Sequence, residues 1–106
     1  MRTAEKTSPA ETKKKVIDAL LRKKVGTTPL IDLAILHGES YMQDIINALA
    51  TLNEAVYAQM RAQGATPCLV QQKKIIEQII LQIETNDITS EKLRLLLQRL
   101  QIECKE

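Results

Sequence analysis

Aromatic residues are almost missing from this chain: there is no Trp and no Phe, and only two Tyr occur among 106 residues. Stacking on bases or flat ligands is therefore poorly served, and the core has to be built from aliphatic side chains, as in helix bundles. Histidine is reduced to His37. A nucleophilic triad needs its imidazole beside a nucleophile, whereas His37 falls at the end of a predicted helix, where the ring suits the dipole. Cysteine is nearly as scarce. Cys68 and Cys104 are too few for a disulfide framework or a metal site. Cys68 is expected to be a small buried hydrophobe; the weaker alternative is a thiol activated at a helix N-terminus.

Other absences narrow the chemistry further. The acids are dispersed, without ligand spacing for a metal. Neither G-x-x-x-x-G-K nor G-x-G-x-x-G occurs, so no loop is made to cradle a phosphate. No enzyme activity, metal, cofactor or small-molecule substrate is expected. No apolar run approaches the roughly 18 residues of a membrane span, and the N-terminus lacks the apolar centre of a signal peptide. A reducing, cytoplasmic setting is expected, with no membrane partner.

Three prolines and three glycines punctuate the chain. Every Pro follows a hydroxyl residue: Ser8-Pro9, Thr28-Pro29 and Thr66-Pro67. A hydroxyl at an N-cap accepts an orphan backbone N–H, and Pro suits the first helical position because its missing N–H would be unpaired there. Gly26, Gly38 and Gly64 stand where helices should stop, since Gly reaches the left-handed cap conformation without steric cost.

This punctuation predicts an all-α fold, a five-helix bundle in one domain over residues 8–106, behind a disordered basic tail at 1–7. The predicted helices span 9–25, 29–37, 41–63, 67–85 and 90–103. The first has a capping box in Ser8 and Glu11 and a stripe of Val16, Ile17, Leu20 and Leu21. The second, LIDLAIL, is apolar nearly all round and is expected at the centre of the core. The third opens with a capping box in Ser40 and Gln43, and Ile45, Ala48, Leu49, Leu52, Val56 and Met60 recur at helical spacing. The fourth carries Leu69, Val70, Ile76, Ile79, Ile80 and Ile83, with Ile75 and Leu81 beside them. The fifth, capped by Asp87 or Thr89, carries Leu93, Leu96, Leu97 and Leu100, with Leu95 off the stripe.

The net charge of +2 conceals an asymmetry. Residues 1–24 hold eight Lys or Arg against three acids, while the rest holds seven bases against ten acids. Such a basic section suits an anionic partner, or it is a solvated helix face.

One segment carries a family likeness. Residues 28–52 read TPLIDLAILHGESYMQDIINALATL. Ala34 lies four residues before Gly38, Ser40 stands where a second helix would begin, and Ala48, Leu49 and Leu52 supply closing apolar positions. The segment resembles the helix-turn-helix unit of bacterial regulators, a short helix packed on a second one across a tight turn. The resemblance implies DNA binding, with Ser40, Tyr41, Gln43 and Asn47 facing the bases and Lys13, Lys14, Lys15, Arg22, Lys23 and Lys24 on the phosphates. Two features depart from the pattern. Asp44 holds a position where the motif has an apolar residue, which implies a longer turn or another packing angle. No Lys or Arg occurs from Ser40 to Met60, whereas reading helices carry bases for phosphates and base edges. A plain helix pair is the other reading.

The remaining signal is apolar surplus. The faces with Ile75, Ile79 and Ile80, and with Leu93, Leu96 and Leu97, look wider than one side of a small bundle. Wide aliphatic faces with polar rims suit helix–helix association. The sequence is thus read as a non-enzymatic interaction or assembly protein, a homodimer or a subunit of an assembly, with a DNA-binding regulator as the alternative.

Overall fold

A computed structural model describes residues 8–102 and residue 104; the tail expected to be disordered, 1–7, lies outside the described residues. The chain is all-α with one small addition. Five helices follow in order: α1 (Pro9–Arg22), α2 (Leu30–His37), α3 (Glu39–Gln63), α4 (Pro67–Glu84) and α5 (Ser90–Leu100). Between α1 and α2, β1 (Lys24–Val25) pairs antiparallel with β2 (Thr28–Pro29).

Local chemistry accounts for most helix ends. Ser8 Oγ accepts from the Glu11 N–H at 3.2 Å, Thr66 Oγ1 from Leu69 at 3.3 Å, and Thr89 Oγ1 from Lys92 at 3.1 Å. Each removes one orphan donor from a first turn. Helix α4 ends through Asn86, at φ 55. The Asn86 N–H reaches the Ile83 carbonyl at 3.1 Å and the Asp87 N–H reaches Gln82 at 2.8 Å. This is the paired closure of a Schellman motif, with Asn in the position more often held by Gly.

Thr28-Pro29 behaves differently from the other two hydroxyl-proline pairs. Helix α1 stops at Arg22 rather than at 25, and the chain turns back through Gly26 (φ 68) and Thr27. A two-residue hairpin loop favours positive φ, which Gly supplies. Pro29 is tolerated at the edge of a two-stranded ribbon, where it owes no N–H. The cap position of α2 is Pro29 itself, and no side chain caps that helix. The Ser40 capping box is also absent. Gly38, at φ 64, closes α2 through its N–H to Ala34 at 2.8 Å, and α3 begins at the next residue.

Helix α3 is the centre of the assembly, packing most extensively against α1, α2 and α4, while α5 touches α1, α2 and α4. Its stripe of Ile45, Leu49, Leu52 and Val56 is wholly buried. Against it lie Ile17 and Leu20 of α1, Leu30, Ile31 and Ala34 of α2, and Leu69, Ile76 and Ile79 of α4. Each fully buried Leu or Ile contributes about 1.5–3 kcal/mol relative to exposure.

The expectation that α2 is the central helix is corrected. Leu36 is 75% exposed, and Leu33 and Ile35 are half-buried. The molecule measures 39 × 33 × 19 Å. Its thin dimension is about two helix diameters, so two layers form and no helix is surrounded.

Candidate functional site

The chemistry-bearing residues gather at one end of the molecule, where α1, the start of α4 and the end of α5 meet. Lys13 lies in α1, on the face that carries Ile17 and Leu20, and is 5% exposed. Its ammonium donates to Oε1 of Gln72 on α4. Gln72, 3% exposed, uses its Nε2 to donate to the Ile102 carbonyl at 2.7 Å and to the Leu100 carbonyl at 3.4 Å. One amide thus joins α1 to the end of α5, satisfying carbonyls that a helix terminus leaves unpaired. Burial lowers the Lys13 pKa from its ordinary 10.5, because desolvation disfavours the charged amine.

One turn before Gln72, Cys68 is disulfide-bonded to Cys104 across a sequence separation of 36, with Cα atoms 5.5 Å apart. The reading of two independent thiols is corrected. The pairing follows from α5 returning its C-terminal end to the first turn of α4, a closeness that the spacing of two cysteines does not reveal. Cys104 is 7% exposed and belongs to the core; Cys68 is half-buried against it.

The residues expected to bind a partner are mostly interior. Ile75 (5% exposed), Ile79 (0%), Leu93 (0%), Leu96 (2%) and Leu97 (0%) are core residues, and Ile80 is half-buried against them. Their wide faces are divided between neighbours: α4 packs on α3, while α5 covers α1, α2 and α4. Two sides of each helix are therefore spent inside. Among the described residues the most exposed large apolar side chains are Leu36, Leu81, Leu95 and Ile102, at 50–75%, followed by Val25 and Tyr57. Periodicity alone sets Leu81 and Leu95 off their stripes. An aliphatic residue on a polar helix face is the signal that the sequence offers for them.

Between α2 and α5 runs one half-buried ion pair, Arg94 Nη2 to Asp32 Oδ1 at 2.8 Å. Leu36 lies one turn beyond Asp32 on the same helix face, and Leu95 adjoins Arg94 along a shallow groove of about 500 Å³ lined by Thr89, Glu91, Lys92 and Gln98.

The residues proposed for nucleic acid divide into two groups. Lys13 is buried, with its ammonium bonded to Gln72. Lys14, Lys15, Arg22, Lys23 and Lys24 are exposed, with Arg22 paired to Asp18 at 3.4 Å. Ser40, Gln43 and Asn47 are exposed, and Gln43 Nε2 donates to Asn47 Oδ1 at 3.0 Å. Tyr41 is half-buried against the core, its ring 6.4 Å from that of His37. Lys23 and Asn47 do share a cleft of about 290 Å³, whose walls include Val16, Asp44, Ala48 and Thr51. The turn between α2 and α3 is the single residue Gly38, so of the two readings of Asp44, a longer turn or another packing angle, the longer turn is not found.

Among the described residues no three His, Cys, Asp or Glu side chains cluster as metal ligands, and no helix is long and apolar enough to cross a membrane. No protein-family model matches this sequence, and no curated protein or solved structure matches it either.

Proposed function

We propose that this chain is a non-enzymatic helical interaction protein that associates through the outer faces of α2 and α5. The observation that carries this reading is the exposure of Leu36 (75%) and Leu95 (50%) on two helices tied together by Asp32 and Arg94. Exposed aliphatic side chains on two adjacent helices suit burial against another apolar face, and in a two-fold dimer a second copy of the chain offers the same patch in return. Burial of a leucine at such an interface is worth about 1.5–3 kcal/mol. Light scattering after gel filtration tests it. A concentration-dependent dimer that Leu36→Glu with Leu95→Glu abolishes is expected. A strict monomer at every concentration overturns it.

A second reading, duplex DNA binding, is favoured by one observation: Lys23, just past the end of α1, and Asn47 of α3 line the same cleft. Binding at phosphates releases counterions, so affinity would fall steeply with salt. Neutralising Arg22, Lys23 and Lys24 should weaken binding across sequences and reduce the salt slope by about one for each phosphate-binding cation removed. An absence of binding at low salt ends this reading. Lys13 has no part in it.

A further inference from the structure

Two kinds of bond tie the described residues at the end of α5 and beyond it to the body. Gln72 donates to the Leu100 and Ile102 carbonyls, and Cys104 is joined to Cys68. Ile102 itself is 64% exposed. Apart from Leu100 and Cys104, the described residues of this end bury little apolar surface, so the covalent bond is its main anchor. The two sulfurs are unequally placed. Cys104 is 7% exposed, whereas Cys68 is half-buried, in the first turn of α4 beside the exposed Pro67.

We infer that Cys68–Cys104 is an exchangeable disulfide, open to attack by a thiol reductant at Cys68, and that its reduction frees the C-terminal end of α5 from α4. The incoming thiolate attacks Sγ of Cys68. The Cys68–Cys104 bond breaks, and the bonding pair leaves with Cys104, which takes a proton from water. The mixed disulfide on Cys68 is resolved by a second thiol, which bonds to the reductant's sulfur and expels Cys68. Two electrons pass from the two thiols, which end as a disulfide, to the protein, which ends as two cysteines. The sulfur expelled in the second step lies at the N-terminus of an 18-residue helix whose first turn holds no acid. The helix dipole favours its anionic form, which assists departure and stabilises the reduced protein. Release of Cys104 then leaves the packing of Leu100 and the hydrogen bonds from Gln72 to hold the end of α5.

The native protein tests this without substitution. It is equilibrated with excess reduced glutathione under non-denaturing conditions, free thiols are trapped by alkylation, and the adduct is mapped by mass. The expected result is substantial reduction with the fold retained and the first glutathione adduct on Cys68. Amide exchange at 100–102 should be about tenfold faster in the reduced protein, while residues 45–56 of α3, whose exchange follows global stability, should remain the most protected. A disulfide that glutathione leaves intact, an adduct found on Cys104 alone, or exchange at 100–102 that reduction leaves unchanged would each overturn the inference.

Discussion

Lys13 on α1 donates its ammonium to the side-chain carbonyl of Gln72 on α4, a residue 59 positions away in the sequence. The two come together because α1 lays Lys13 on the face that buries Ile17 and Leu20. A buried amine is costly unless it is bonded, and here a neutral amide is its partner. Gln72 in turn donates to carbonyls at the end of α5, so one side chain links three helices.

The buried amine should make stability depend on alkaline pH. In the unfolded chain Lys13 keeps its proton up to its ordinary pKa of 10.5; in the fold, burial lowers that value. Between the two values the unfolded state binds more protons, so stability rises with pH through the window just below 10.5. At lower pH both states are charged, and the cost of burying the amine is fully present. Urea unfolding of the native chain and of Lys13→Met across this window checks it. The variant should lose this component of the pH slope.

Two leucines two positions apart on α5 should respond differently to truncation. Leu97 is fully buried and Leu95 is 50% exposed. Leu97→Ala should cost about 2–5 kcal/mol, as lost transfer energy plus the cavity left behind. Leu95→Ala should lie within about 0.5 kcal/mol of the native chain, as a surface change does. Comparable losses at both sites, measured by denaturant unfolding on monomeric samples, would contradict the assigned faces.

The three hydroxyl-proline pairs should also separate. Thr66→Ala removes a cap from the Leu69 N–H and should cost about 1 kcal/mol. Thr28 lies in β2 and caps nothing, so Thr28→Ala should cost less than about 0.5 kcal/mol. Thermal unfolding of the two variants distinguishes them.

Removing the disulfide should lower global stability without abolishing the fold. On the chain-entropy relation, a link across a separation of 36 is worth about 3–4 kcal/mol. Cys68→Ser with Cys104→Ser should show a loss of that order in urea. The helical circular dichroism signal should remain, because the buried stripe of α3 does not depend on the link.

The half-buried bridge between Asp32 and Arg94 should contribute modestly. Both side chains are about one-third exposed, so Asp32→Asn should cost about 1 kcal/mol or less. A double-mutant cycle with Arg94→Gln isolates the pair. A coupling near zero would show that apolar packing alone holds α5 on α2.

The number and order of the helices were legible in the sequence because the signals that set them are local. A cap acts over three residues, as in Ser8 with Glu11 and Thr66 with Leu69, and a positive φ at Gly64 is a property of one residue. The short turn from Val25 to Thr28 was missed because Thr-Pro before an apolar run reads equally well as a cap or as an edge strand. Asn86 was missed because it serves where Gly is commoner.

What the sequence by itself determined is five helices, four of them amphipathic, with an aliphatic core and a basic first section. Only the tertiary structure decided which apolar faces meet, and so removed Ile79, Leu93 and Leu97 from the surface and left Leu36 and Leu95 upon it. It also decided that Lys13 is an interior residue and that Cys68 and Cys104 are bonded. Periodicity gives the direction of a side chain about its own helix axis. Burial and bond formation depend on what stands opposite, and contacts such as Lys13 with Gln72 or Cys68 with Cys104 join residues dozens of positions apart.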